Sequence, residues 1–142
     1  MQKLMKKLLN HIFIQIHLFC RCRQGLLKRF LFLYSGLGTY TLRTSQDPQR
    51  NGHRPSADVL FESVGKIFGN HALGVIMTGM GKDGAVELAG MRKQGAWTLG
   101  QDEKTSIVYG MPRVAYELGA VQKQVSLENM AGEISRIALQ NA

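Results

Sequence analysis

Residues 78 to 85 read TGMGKDGA. Gly79, Gly81 and Gly84 fall in the order G-x-G-x-x-G, and Asp83 stands directly before the last of them. Two chemistries use such a stretch. A glycine turn that opens a helix brings backbone N–H groups close to a dinucleotide pyrophosphate. The acid that reading requires, about twenty residues on, is present as Asp102. Electrostatics argues against it. Asp83 places a full negative charge at the helix N-terminus that the phosphate would occupy, and the two anions would repel by roughly a few kcal/mol. The second chemistry makes Asp83 the carboxylate that orients a histidine base in a serine hydrolase. Such a carboxylate, held by helix N-terminal amides, stays ionised near neutral pH. The plain alternative is a tight turn in which Asp83 caps the helix after it.

A triad also needs a nucleophile and a base. His53 and Ser56 lie three apart in GHRPS, but Ser56 stands where it would cap the helix that follows. Ser35, Ser45 and Ser106 have no histidine beside them, and His71 follows a helix stop. Cys20 and Cys22 with His11 and His17 supply four potential metal ligands. Their spacing matches no zinc frame, and free thiols are expected instead.

The elements that must position these residues change character along the chain. Residues 1–37 form a basic, apolar leader without a clean period, interrupted by Asn10, His11, Gln15 and His17. Its apolar stretch is too short for a membrane span. From Gly38 onward the pattern is that of a folded domain, 38–142. Thr39 to Thr44 alternates as a strand. A polar loop leads to a helix after Pro55, with Val59, Leu60, Val64, Ile67 and Phe68 on one face and Gly69-Asn70 as its stop. Leu73 to Thr78 is an apolar run suited to a strand buried on both faces. A helix over Gly84–Lys93 follows, with Val86, Leu88, Ala89 and Met91 as its apolar side. Then come a strand at 96–100, a helix opened by Pro112, a strand at 121–125, and a terminal helix capped by Ser126. Alternating strands and helices predict an α/β domain with a mostly parallel, Rossmann-like, doubly wound sheet. The octapeptide then lies at the carboxyl end of a strand, where such sheets place their sites.

The 142 residues carry a net charge of +8, and it is unevenly spread. Residues 1–54 hold ten Lys or Arg against one acid; residues 55–142 hold eight against nine. The basicity belongs to the leader, which leaves binding to an anionic membrane surface or to nucleic acid as a reading of that segment alone. Nothing after residue 54 supports nucleic-acid binding.

From about residue 39 the sequence resembles the catalytic domain of the chemotaxis protein-glutamate methylesterases, the CheB family. The resemblance rests on NGHRPSADVLFESV (51–64), GVIMTGMGKDGA (74–85), MRKQGAWTLGQDE (91–103) and YGMPRVAYELGAV (109–121). It implies a cytoplasmic Ser-His-Asp hydrolase that needs no metal or cofactor. Its substrates would be glutamyl methyl esters, and certain glutamines, on chemoreceptor signalling helices. Asp83 aligns with the family's triad aspartate. The N–H of Met80 aligns beside the oxyanion site, with Thr78, Gly79, Gly81 and the Gly110-Met111-Pro112 turn lining the cleft. The family's serine and histidine lie upstream of the strand matching 39–44, where this chain has its basic leader. The expectation is a truncated or frame-disrupted copy, with little or no activity by itself and an edge strand open to self-association.

Overall fold

The computed structural model describes residues 30–36 and 39–140. The chain order is β1 (Phe30–Gly36), β2 (Thr39–Ser45), α1 (Ala57–Phe68), β3 (Leu73–Ile76), α2 (Ala85–Lys93), β4 (Trp97–Gln101), α3 (Met111–Glu117), β5 (Lys123–Val125) and α4 (Leu127–Gln140). His11, His17, Cys20 and Cys22 lie outside the described residues, as does the metal question they raised.

Strands β3, β4 and β5 form one parallel sheet in the order β3-β4-β5. Each is joined to the next by a helix, as parallel neighbours require. The expected strand at 39–44 exists, but it belongs elsewhere. β2 pairs antiparallel with β1 from Phe30↔Ser45 to Gly36↔Thr39, as a separate hairpin. Residues 30–36 therefore form a strand, although they fall in the segment read as a leader. Alternation identified β2 as a strand, but alternation carries no information about its partner.

The core has two sides. On one, Leu60, Phe61 and Val64 of α1 and Leu88 and Met91 of α2 surround Ile76 of β3 and Ala115 of α3. On the other, Met130 and Ile137 of α4 cover Leu99 and Val125. Helices on both faces make the architecture doubly wound. β3 alternates between the sides: Gly74 and Ile76 are buried, while Leu73 and Val75 are only partly so. The expectation of a strand buried on both faces is corrected accordingly. Val86 is also corrected, because it is 59% exposed and Ala85 takes its place inside.

Close approach explains two glycines. A Cβ on Gly84 would lie 2.9 Å from Ala57 Cβ and 3.0 Å from the Phe61 ring, and Gly84 has φ +83°. That contact lets α1 lie against the start of α2. A Cβ on Gly110 would lie 2.6 Å from the Gly79 carbonyl oxygen. There the 108–111 segment closes on the glycine turn.

Candidate functional site

Asp83 is buried, at 9% exposure, between two helix beginnings. Its Oδ1 accepts from the Ser56 hydroxyl at 2.7 Å and from the Asp58 N–H at 3.2 Å. Its Oδ2 accepts from the Ala57 N–H at 2.7 Å. The helix it caps is α1, which is distant in sequence, rather than α2 beside it. Ser56 occupies the N-cap position of α1 without a capping bond of its own. The expectation that Ser56 caps this helix is overturned: its hydroxyl points to Asp83, and Asp83 meets the free amides. The α1 dipole adds to the attraction for this anion.

The capping is reciprocal. Asp58 Oδ1 accepts from the Gly84 N–H at 2.9 Å, and its Oδ2 accepts from Asn51 Nδ2 at 3.1 Å. Each helix start thus receives an acid from the other. Beside this pair, Arg50 bonds Glu62 on α1 and, at 2.6 Å, Glu87 on α2. Bonds from Lys66 and then Arg50 hold the Glu62 carboxyl below its ordinary value. Burial pushes Glu87 up despite Arg50. The arginine therefore binds the 46–55 loop across both helices.

The glycine turn is fastened from the other side. Thr78 Oγ1 accepts from the Val108 N–H at 2.9 Å, and the Gly79 N–H donates to the Val108 carbonyl at 3.0 Å. Gly79 in turn accepts from the Met111 N–H at 2.8 Å. The Thr78 N–H donates to Gln101 Oε1 at 2.9 Å. Gln101 is buried at 1% exposure and also donates to the Thr105 carbonyl at 2.7 Å. Among the described residues, the N–H groups of Met80, Gly81 and Lys82 have no acceptor. The Met80 side chain is 85% exposed.

The structure thus brings together Thr78, Gly79, Met80, Gly81, Asp83, Gly110 and Met111. Pro112 follows them but is fully buried, so its side chain is not open to a cleft. His53 does not approach Asp83: its Nδ1 lies 2.9 Å from the Asn51 carbonyl oxygen. Asp102 is occupied in its own turn, where Oδ1 accepts from the Thr105 N–H at 3.0 Å and the Thr105 hydroxyl at 2.6 Å. It holds no position that would favour the dinucleotide reading. Sequence reading missed Asp58 and Gln101. The available signals were an acid in the first turn of α1 and a lone amide ending an apolar strand.

Comparison with known proteins places the chain. The family model described as CheB methylesterase matches residues 11–134. That range begins upstream of residue 39, where the resemblance was expected to start. A protein-glutamate methylesterase/protein-glutamine glutaminase of Treponema denticola is 61% identical over 90 residues, covering 63% of this chain and 24% of the relative. The Agrobacterium fabrum protein of the same name is 61% identical over 87 residues, covering 61% of this chain and 25% of its own length. The chain therefore spans about a quarter of the length of these relatives. The crystal structure of the Thermotoga maritima CheB methylesterase catalytic domain superposes with a TM-score of 0.75 at 24% identity, over 78% of this chain and 58% of that one. With the family model matched over most of its length and its α/β architecture shared with that domain, the chain belongs to the CheB methylesterase family.

Proposed function

We propose that this chain is part of a cytoplasmic protein-glutamate methylesterase-type hydrolase, and that Asp83 is the carboxylate that orients its histidine base. Its substrates are glutamyl methyl esters on chemoreceptor signalling helices, with deamidation of certain receptor glutamines as a second activity. The names of the relatives agree with this chemistry.

One observation carries the reading. A carboxylate offers about four acceptor positions. Ser56, Ala57 and Asp58 fill three of them, two on Oδ1 and one on Oδ2. The remaining position on Oδ2 is free to accept an imidazole N–H. An imidazole fixed there presents its other nitrogen to a serine hydroxyl, removes its proton during attack on the ester carbonyl, and returns it to the departing methoxide. Methanol leaves, and water then releases the acyl group. The unpaired N–H of Met80 suits the oxyanion that forms on the way.

No histidine nitrogen touches Asp83 among the described residues, and Ser56 donates its proton to the acid instead of facing a base. On this reading the described residues alone are expected to release little or no methanol. Loss of a triad serine or histidine leaves only ~10³–10⁴-fold acceleration over water. The test is methanol release from methylated receptor membranes. Turnover by the chain alone that persists in Ser56→Ala, Ser106→Ala and His53→Ala would refute the reading.

A further inference from the structure

Three large apolar side chains stand open around the glycine turn. Met80 is 85% exposed, Ile107 92% and Val108 44%. A single exposed apolar residue is ordinary, but several around one turn mark a contact surface. Their backbone is held in place. Gly79 bridges Tyr109 in parallel, and the Gly79 N–H donates to the Val108 carbonyl at 3.0 Å. The Tyr109 hydroxyl accepts from Gln124 Nε2 at 2.6 Å, which ties the same segment to β5. A Cβ on Gly110 would lie 3.2 Å from Met80 Cα, so Met80 stands beside Gly110 at one end of the strip. Ile107 stands at the other. Three residues span at most roughly 10 Å, and two turns of an α-helix rise about 11 Å. One face of a helix laid across the turn therefore reaches both ends.

Charge narrows the kind of helix. Residues 78–82 and 106–113 contain Lys82 and Arg113 and no acid. Both bases are exposed, and Arg113 makes only a loose 3.9 Å contact with Glu117. Asp83, next in the chain, is turned inward to α1. An apolar strip with bases at its margin complements an amphipathic helix that carries carboxylates.

We propose that Met80, Val108 and Ile107 form a rim that seats the apolar face of the substrate helix, with Lys82 pairing with a free glutamate beside the ester. Ile107 and Lys82 are then specificity-determining residues: they select esters that have an apolar side chain within two turns on the same face and a carboxylate nearby. This inference rests on the methylesterase reading, because that reading makes the occupant a glutamate-bearing helix.

The test uses the full ¹⁵N-labelled chain and a synthetic amphipathic helical peptide. The peptide carries one glutamyl methyl ester, a leucine two turns away on the same face, and free glutamates around them. Amide shifts are followed, and affinity is read by fluorescence anisotropy of the labelled peptide. The expected shifts fall on Met80, Ile107 and Val108. Ile107→Ser should weaken binding about tenfold, since burial of its side chain is lost. Lys82→Glu should weaken it about fivefold at low salt, with the difference shrinking at high salt. Leu139→Ser, an equally open leucine near the end of α4, should bind as the parent does. All three positions are exposed, so melting temperatures should stay at the parent's value. Equal affinity of Ile107→Ser and the parent would overturn the proposal, as would absence of binding or shifts confined to other surfaces. So would self-association of the chain, by sedimentation, that Ile107→Ser abolishes, because it would assign the rim to a second copy. A second peptide with alanine in place of the ester separates the two readings. Binding at the rim with a Met80 amide indifferent to the ester supports the rim and counts against the methylesterase reading. A Met80 amide that senses the ester while Ile107→Ser binds normally does the reverse.

Discussion

Replacing Asp83 with Ala tests whether one acid holds two helices together. Three donors lose their acceptor: the Ser56 hydroxyl and the N–H groups of Ala57 and Asp58, all on buried residues. Loss of an N-cap costs about 1 kcal/mol. Each buried donor left without an acceptor adds about 1–3 kcal/mol, more when the lost partner was charged. Two effects reduce the sum. The Ser56 hydroxyl can rotate to another acceptor, and removing one anion relieves Asp58. A net loss of about 3 kcal/mol is expected. With a urea dependence of about 2 kcal/mol per molar, the unfolding midpoint falls by about 1.5 M. Trp97, the single tryptophan, reports the transition from within the sheet. Asp83→Asn keeps one side-chain oxygen for the Ala57 N–H and is expected to lose about 1 kcal/mol. Ser56→Ala, which removes one of the three donors, should do the same. Amide exchange in the first turn of α1 should rise most in Asp83→Ala. A midpoint for that variant within about 0.3 M of the parent would show that the α1 amides are satisfied otherwise, and the reasoning would fail.

Two glycine variants separate strain from crowding. Gly81→Ala, at φ +89° with open space around it, should lose about 1 kcal/mol, whereas Gly84→Ala meets Ala57 and Phe61 and should lose about 2–4 kcal/mol; equal melting temperatures would contradict this. Gln101→Leu leaves the Thr78 N–H without its acceptor and should lower stability by about 1–3 kcal/mol, read by urea unfolding. Bonds from Arg136 and then Lys123 draw the Glu133 carboxyl from its ordinary 4.5 down to about 2. Because its folded value is depressed, its stabilisation is full above pH 4.5 and fades as pH falls toward 2. Glu133→Gln should therefore melt below the parent at pH 6, with the gap closing as pH approaches 2; a gap independent of pH would refute the assignment.

Much of the fold could be read from the sequence, because its elements carry local signals. The stop of α1 at Gly69 and the stop of α2 at Gln94 follow from the local chemistry of helix ends. Both were found. What failed was pairing. β2 looked like one more strand of the parallel sheet, yet its partner is β1, across a two-residue connection. Strand partners are chosen by tertiary packing, which a single strand's pattern does not encode. At the site, Asp83 stood out by its place among glycines. Its partners did not, because a bond across 27 positions to Ser56 leaves no local trace. Ser56 shows how a sound local rule is overridden. It has the residue type and the place of an N-cap, but a full charge competes better than a hydroxyl for the same amides.

That competition bears on how the site keeps its shape. Everything that fixes Asp83 comes from this chain: the start of α1, the reciprocal acid Asp58, and the Arg50 bond across both helices. Its orientation thus does not require the imidazole it would serve. A carboxylate held mainly by its catalytic partner would swing free once that partner was absent. Here the charge is met by amides and a helix dipole at all times. Among the described residues, no donor fills the fourth acceptor position.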